Sequence, residues 1–423
     1  MRNIFDQYEQ PENRLTHSLV TALYYDRKLL KKFVRWVSKS APTAIKSLNI
    51  VEQRIPGDTD ILDYEGGERG LPDAWVYNDG NDDWSLIIES KIASKLSRNQ
   101  VVRHYRTAER RGYTNITVLV VDTELPRVRM PEYVKAKTWS DIYQWLIRHR
   151  HESEWAGLTI EYFEIAETRF ADKGYLKEGT LTIFSGIPFD KKNTYNYPEA
   201  KRVLKLAMDE LRKRKDLVRE LRMDPKNPGR GMITGKGGTE VWDYLGLKVA
   251  SGKEGFTKYP HITLSIERDR MIAIATIPNA IHTQYRRNLI DLGEDGFFEL
   301  MYKITMRLQR VLRKEKWACP IISSVQRRYL TQSSPPIIDA RLAYDLRTAF
   351  DIDKRSKPKI KQQPQWLKST YETLANKKSN YQVSVGAGFP YEYCRIHKEP
   401  EILDYIAHTW IACKPLIDTL LGK

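Results

Sequence analysis

Leu71-Pro72-Asp73-Ala74-Trp75-Val76-Tyr77 and Trp84-Ser85-Leu86-Ile87-Ile88-Glu89-Ser90-Lys91 decide how this chain is read. Both runs are short, apolar and rich in aromatic and β-branched residues, and a turn-like Asn78-Asp79-Gly80-Asn81 separates them, which predicts two strands. Side chains alternate along a strand, so Ile87, Glu89 and Lys91 share one face while Ile88 and Ser90 take the other. A carboxylate directly after Leu86-Ile87-Ile88 stands at the end of a strand expected to be buried, where a bare charge is costly unless it is paired or holds a cation. Lys91 can neutralise Glu89, and Asp73 arrives from the neighbouring strand as a third charged group.

Working outward, Pro11-Glu12-Asn13-Arg14-Leu15 opens a helix with Leu15, Leu19 and Leu23 at helical spacing. The Gly-rich stretches 57–60 and 65–70 read as a hairpin or loop. A polar helix from about Ser97 to Arg111 leads to Ile116-Thr117-Val118-Leu119-Val120-Val121, almost wholly apolar, as a strand buried on both faces would be. Trp139 to Arg150 and Trp155 to Ala171 show helical spacing. The order predicts an α/β layer sandwich over residues 1–175.

Residues 176–423 are expected to form a second, α+β domain. It would begin with a strand at Thr180–Phe184 and continue with a basic helix from Pro198 to about Arg222. Strands are expected at Ile262–Ile266, Met271–Ile277 and Tyr381–Ala387, with helices at Phe297–Lys316 and Glu401–Leu421. The basic, Pro-containing stretch from Lys354 to Gln365 reads as an exposed loop or linker.

The 423 residues carry 70 Lys and Arg against 54 Asp and Glu, a surplus of 16 positive charges that favours polyanionic partners. Ten Trp and 24 Tyr are too many aromatics for a disordered chain. No apolar run approaches the roughly 18 residues of a membrane span, and the first residues show no apolar signal segment, so the expected setting is cytoplasmic. Three widely spaced cysteines, Cys319, Cys394 and Cys413, argue against a disulfide framework.

Two carboxylates and a lysine at the end of paired strands make an oxygen site for Mg²⁺, which bridges to phosphate and is satisfied by two carboxylates, one backbone carbonyl and waters. A lysine beside it can hold a water and favour hydroxide, while the metal stabilises charge on the phosphorus oxygens. Pro72-Asp73, fifteen intervening residues, then Glu89-Ser90-Lys91 resembles the motif of the PD-(D/E)xK nuclease superfamily, which includes restriction endonucleases, junction resolvases and recombination exonucleases. The resemblance covers roughly residues 5–170. It takes in Glu12 on the first helix, where many members carry an extra acidic residue, and Gln100 and Tyr105 on the helix after the lysine strand, where some carry a Gln and a Tyr that hold substrate.

The resemblance implies a restriction-endonuclease-like α/β/α core and a metal-dependent deoxyribonuclease, most naturally an endonuclease in prokaryotic antiviral defence or in repair. Asp73 and Glu89 would ligate Mg²⁺, or Mn²⁺ in its place, with help from the Ser90 carbonyl. Lys91 would activate water, Glu12 would support a second metal or a metal-bound water, and Gln100 would orient substrate. The partners implied are DNA and either a second copy of the chain or a partner subunit of a defence complex, with no membrane.

Each residue also has a structural reading. Asp73 could form a strand-end turn, Glu89 and Lys91 a plain ion pair, and Glu12 a dipole-favoured first-turn acid. Gln100, His104 and Tyr105 could all face solvent, and no His is placed where a general base would be needed.

In the second domain, Arg212-Lys213-Arg214-Lys215 is the expected nucleic-acid contact, with Tyr285-Arg286-Arg287 and Gln326-Arg327-Arg328-Tyr329 as further stacking and phosphate-holding groups. Residues 229–238 look like a phosphate loop, but Arg230 and Gly237 break its spacing. Cys394, His397, His408 and Cys413 are set aside as a zinc site because residues five apart on a helix point to different faces. Two rival functions remain: a non-cleaving DNA-binding or scaffold subunit, and a nuclease released by a ligand that the second domain senses.

Overall fold

A computed structural model describes residues 4–5, 7–38, 48–54, 56, 71–78, 84–94, 96–126, 129–177, 179–230, 238–249, 256–331, 334, 336–352, 359–376 and 380–423. The expected loop at 57–70, most of the turn after Asn78, the heart of the Gly-rich stretch 229–238 and the start of the expected linker at 354–365 lie outside these residues. The chain is mixed α/β and divides into two units, Met1–Ile183 and Phe184–Lys423, each with its own sheet. Among the described residues no helix is long and apolar enough to cross a membrane.

The first unit runs α1 (Pro11–Tyr25), α2 (Arg27–Val37), β1 (Leu48–Glu52), β2 (Ala74–Asn78), β3 (Trp84–Ser90), α3 (Arg98–Arg110), β4 (Asn115–Asp122), β5 (Val134–Thr138), α4 (Trp139–His149) and α5 (Glu154–Asp172). The sheet order is β1-β2-β3-β4-β5. β1, β2 and β3 pair antiparallel, and β3, β4 and β5 pair parallel. A parallel pair needs a crossover, which α3 supplies between β3 and β4.

Every residue of β3 is buried. Trp84, Leu86 and Ile88 enter one core with residues of α1, α2, α4 and α5. Ile87 enters the other with Trp75, Val118 and Val120 and with Val101 and Ala108 of α3. This is the three-layer arrangement that an apolar central strand demands.

The second unit runs α6 (Tyr197–Arg212), α7 (Lys215–Leu221), β6 (Glu240–Gly246), β7 (His261–Glu267), β8 (Arg270–Ile277), α8 (Thr283–Ile290), α9 (Gly293–Val311), β9 (Cys319–Arg328), β10 (Ile337–Asp345), α10 (Gln365–Ala375), β11 (Asn380–Pro390), α11 (Ile402–Ala412) and α12 (Lys414–Leu420). Its strands lie in the order β10-β9-β11-β8-β7-β6, antiparallel throughout. One face of this sheet, with Ile262, Leu264, Ala273, Ile322 and Val385, packs on α6, α9, α11 and α12 in a single core.

Three expectations need correction. Thr180–Phe184 is not a strand: the wholly buried Glu167 of α5 accepts the main-chain N–H of Leu181 at 2.7 Å and of Thr182 at 3.2 Å, as well as the Thr182 hydroxyl. Those amides thus find a carboxylate where a strand would find a neighbour's carbonyls. The expected helix 198–222 is two, broken at the extended Arg214. The expected helix 401–421 is also two, since Pro415 occupies the first turn of α12 and has no N–H to continue α11.

Candidate active site

The C-terminal end of β3 gathers the charged groups. Ala74 lies opposite Ile88, so Asp73, one residue before β2, reaches the level of Glu89. Alternation then sends Glu89 towards α3 and Ser90 towards α1.

Glu89 is wholly buried and its carboxylate is held by three donors. Oε1 accepts from Lys91 Nζ at 2.5 Å and from Gln100 Nε2 at 2.5 Å, and Oε2 lies 3.1 Å from His104 Nε2. A carboxylate offers about four acceptor positions, so one remains open.

Asp73 has Ser90 as its direct partner. Its Oδ2 accepts the Ser90 main-chain N–H at 2.6 Å and the Ser90 hydroxyl at 2.8 Å. The Ser90 hydroxyl in turn lies 2.6 Å from Thr16 Oγ1 on α1. Asp73 meets Glu89 through charge: burial and then the Glu89 carboxylate push its carboxyl up to about 6, against the pull of the Ser90 hydrogen bonds and Lys91. Burial acts to lower the Lys91 ammonium, yet the hydrogen bond to Glu89 and the charges of Glu89, Asp73 and Glu12 together hold it above its ordinary value. Lys91 is therefore a donor and a cation at neutral pH. Its main chain is fixed too, with Lys91 N–H on Val121 O at 2.8 Å and Trp139 Nε1–H on Lys91 O at 3.0 Å.

Glu12, in the first turn of α1, is buried rather than solvated. Oε1 accepts from the Ser94 hydroxyl at 2.9 Å, while Oε2 is buried with no partner among the described residues. An orphaned buried carboxylate oxygen is expensive, and a cation or bound water would relieve it. Glu12, Ser94, Asp73, Glu89 and Lys91 thus form one connected electrostatic neighbourhood.

Gln100 joins the cluster; Tyr105 instead packs on Tyr133, with ring centroids 4.0 Å apart. His104, for which a solvent-facing position was one reading, is buried against Glu89. Gln100 and His104 stand four apart on α3, the spacing that puts two side chains on one helix face. Asp122 at the end of β4 is a further acid that motif reasoning misses, although it follows the apolar run 116–121 just as Glu89 follows 86–88. Burial raises its carboxyl, while the Thr123 amide donates to it at 2.6 Å and Lys91 offsets it.

Among the described residues no three of His, Cys, Asp and Glu converge as a ready ligand set. A cation at Asp73 and Glu89 would complete its shell with the Ser90 carbonyl and waters, which suits Mg²⁺. The donors present are hard oxygens, and the open position on Glu89 together with the orphaned Glu12 oxygen leaves lone pairs for such an ion.

Most of the other candidates have partners within the second unit. Arg212 pairs with Asp209, Lys213 with Glu210, and Arg214 with Asp216 and Asp404; Lys215 opens α7. Arg286 donates to Leu374 O and Ala375 O, Arg327 to Gln382, and Arg328 to Asp339. Both ring nitrogens of His397 face main-chain carbonyls, and burial pushes the Cys394 and Cys413 thiols up to about 12, away from the thiolate that zinc would need.

No family matches the chain, and no curated protein matches it.

Proposed function

We propose that this chain is a Mg²⁺-dependent deoxyribonuclease whose first unit is a restriction-endonuclease-like core. The observation that carries the reading is the clamped, wholly buried Glu89 carboxylate beside Lys91 and Asp73, with an unsatisfied Glu12 oxygen in the same neighbourhood. A plain ion pair at that depth gains little, because desolvation offsets the attraction. Four ionisable groups with perturbed or orphaned members at one strand end are more readily explained as a working site.

Asp73 and Glu89 would hold the ion with the Ser90 carbonyl. Bound there, it would stabilise the negative charge that builds on the phosphorus oxygens. Lys91 has three N–H donors, of which one goes to Glu89, so two are left to orient the attacking water and stabilise hydroxide at that position. Gln100 and His104 hold Glu89 in its rotamer, and the Ser94 hydroxyl holds Glu12.

Supercoiled and linear DNA incubated with Mg²⁺, Mn²⁺ or EDTA tests the reading. Cleavage is expected with either metal and not with EDTA. Asp73→Asn and Glu89→Gln should each lower the rate by at least about 100-fold. Full activity in a purified variant removes that residue from the mechanism. DNA bound but uncut in every metal would favour the scaffold function, and cutting only after an added ligand would favour the gated one.

A further inference from the structure

The surplus of positive charge is not shared between the units. Met1–Ile183 holds 27 Lys and Arg against 27 Asp and Glu, and Phe184–Lys423 holds 43 against 27. Several cations of the basic runs that stand out in the sequence already have partners within the second unit.

A further group of cations lies at the end of the second sheet where β9 begins and β11 ends. Cys319 pairs with Gly388, so the turn before β9 and the turn after β11 meet. Trp317 and Tyr393 lie in those turns with ring centroids 4.9 Å apart and planes 33° apart, and they are 56% and 50% exposed. Arg313, Lys314 and Lys316 precede or flank Trp317, Arg395 follows Tyr393, and all four are exposed. None of these four side chains makes a hydrogen bond or ion pair with another described residue. Of the acids in these turns, Glu392 is paired with Lys191, and Glu315 is half-buried with its carboxyl raised by burial.

We propose that Trp317 and Tyr393, with Arg313, Lys314, Lys316 and Arg395 around them, form a stacking platform for single-stranded nucleic acid. Two adjoining, half-exposed rings accept an unpaired base whatever its identity, and the surrounding cations hold the phosphates on either side. A duplex keeps its bases stacked on each other and cannot use the rings, so the chemistry selects single strands. The proposal goes beyond the cluster on β3 and does not depend on it.

Fluorescence anisotropy of a labelled oligo-dT, with the full chain in EDTA, reads the binding without any cleavage. Trp317→Ala is expected to weaken oligo-dT binding about tenfold, the worth of one base stacked on a ring, and Trp317→Phe to retain most of the affinity. Tyr393→Ala should act in the same direction. Circular dichroism should be unchanged, since both rings are half exposed. Binding to heparin, a polyanion without bases, should not respond to Trp317→Ala. Serine at Arg313, Lys314 and Lys316 together should lower the slope of log K against log salt by about 0.7 for each phosphate no longer neutralised on a single strand.

Unchanged oligo-dT affinity in both ring variants overturns the proposal. So does an equal loss on heparin or on phosphatidylserine vesicles, which would make the patch a general anion or lipid surface. Because EDTA is present throughout, a chain that binds but never cuts leaves this platform standing and sinks only the nuclease reading.

Discussion

Glu89 has no exposed surface, so each of its three donors contributes to the fold before it contributes to any reaction. Removing one member of a buried pair leaves the other charge uncompensated, at a cost of about 3–5 kcal/mol. Lys91→Ala should therefore lose stability by about that amount, and lost cleavage in this variant must be read against the folded fraction. The check is denaturant unfolding of Lys91→Met, Glu89→Gln and the double variant. The double should be more stable than Lys91→Met alone, because its buried carboxylate is gone; simple additivity would show that the pair is not coupled. His104→Ala should leave the fold closer to intact and make activity demand more Mg²⁺, since it frees one side of Glu89 to rotate; an unchanged Mg²⁺ requirement would make His104 only a packing residue. At this scale Glu89 and Lys91 stand out because charges directly follow the apolar run Leu86-Ile87-Ile88, Asp73 because it opens the neighbouring strand, and Glu12 only through the motif resemblance. His104 was not legible: its spacing from Gln100 defines a shared face of α3, but nothing local says which face meets the sheet.

In the second sheet, β6 and β7 set Glu240 directly opposite Glu267. Like charges across an antiparallel pair are destabilising. Burial and then the Glu240 charge push the Glu267 carboxyl up to about 7. An acid raised in the folded state binds protons that the unfolded chain releases, so its cost is absent below about pH 4.5 and grows as pH rises towards 7. Glu267→Gln should accordingly raise the unfolding temperature at pH 8 by several degrees, about 2 kcal/mol after allowance for partial solvation, and change it little at pH 4. An equal gain at both pH values would mean the effect is not electrostatic. β8 and β11 present a different constraint. A Cβ at Gly386 would lie 2.0 Å from Ala273 O, so Gly386→Ala should open the centre of the sheet and cost more than ordinary overpacking, as thermal unfolding would show.

Elements with strong periodicity were readable to within a few residues, among them α1, α3 and β4. β5 was missed because an edge strand carries lysines, here Lys135 and Lys137, where a central strand carries apolar residues. The false strand at Thr180–Phe184 had the right alternation, since Leu181 does enter the first core, but its amide is taken by Glu167, 14 residues earlier in the chain.

Across the whole molecule, electrostatic affinity should belong to one unit. A chain ending at Ile183, checked for folding by circular dichroism, should bind DNA with almost no salt dependence, whereas the full chain loses affinity steeply between low and physiological salt. Equal slopes would assign the polyanion contacts to the first unit despite its charge balance. Reversing the charges of Arg212, Lys213, Arg214 and Lys215 should alter the slope less than neutralising Arg313, Lys314 and Lys316, because three of the first set already have carboxylate partners. The sequence total of 16 hides this division, which becomes visible only when the boundary at Ile183 is known. Its consequence is kinetic. On the proposed reading, a neutral unit would have little reason to linger on a polymer of phosphates, but the peptide bond to Phe184 would present it there at an effective concentration of roughly millimolar once the basic unit had landed. Encounter and reaction would then be one molecular event. Severed at that bond and mixed at micromolar concentration, the two halves would have to meet the same strand independently, and the rate would depend on both concentrations rather than on one.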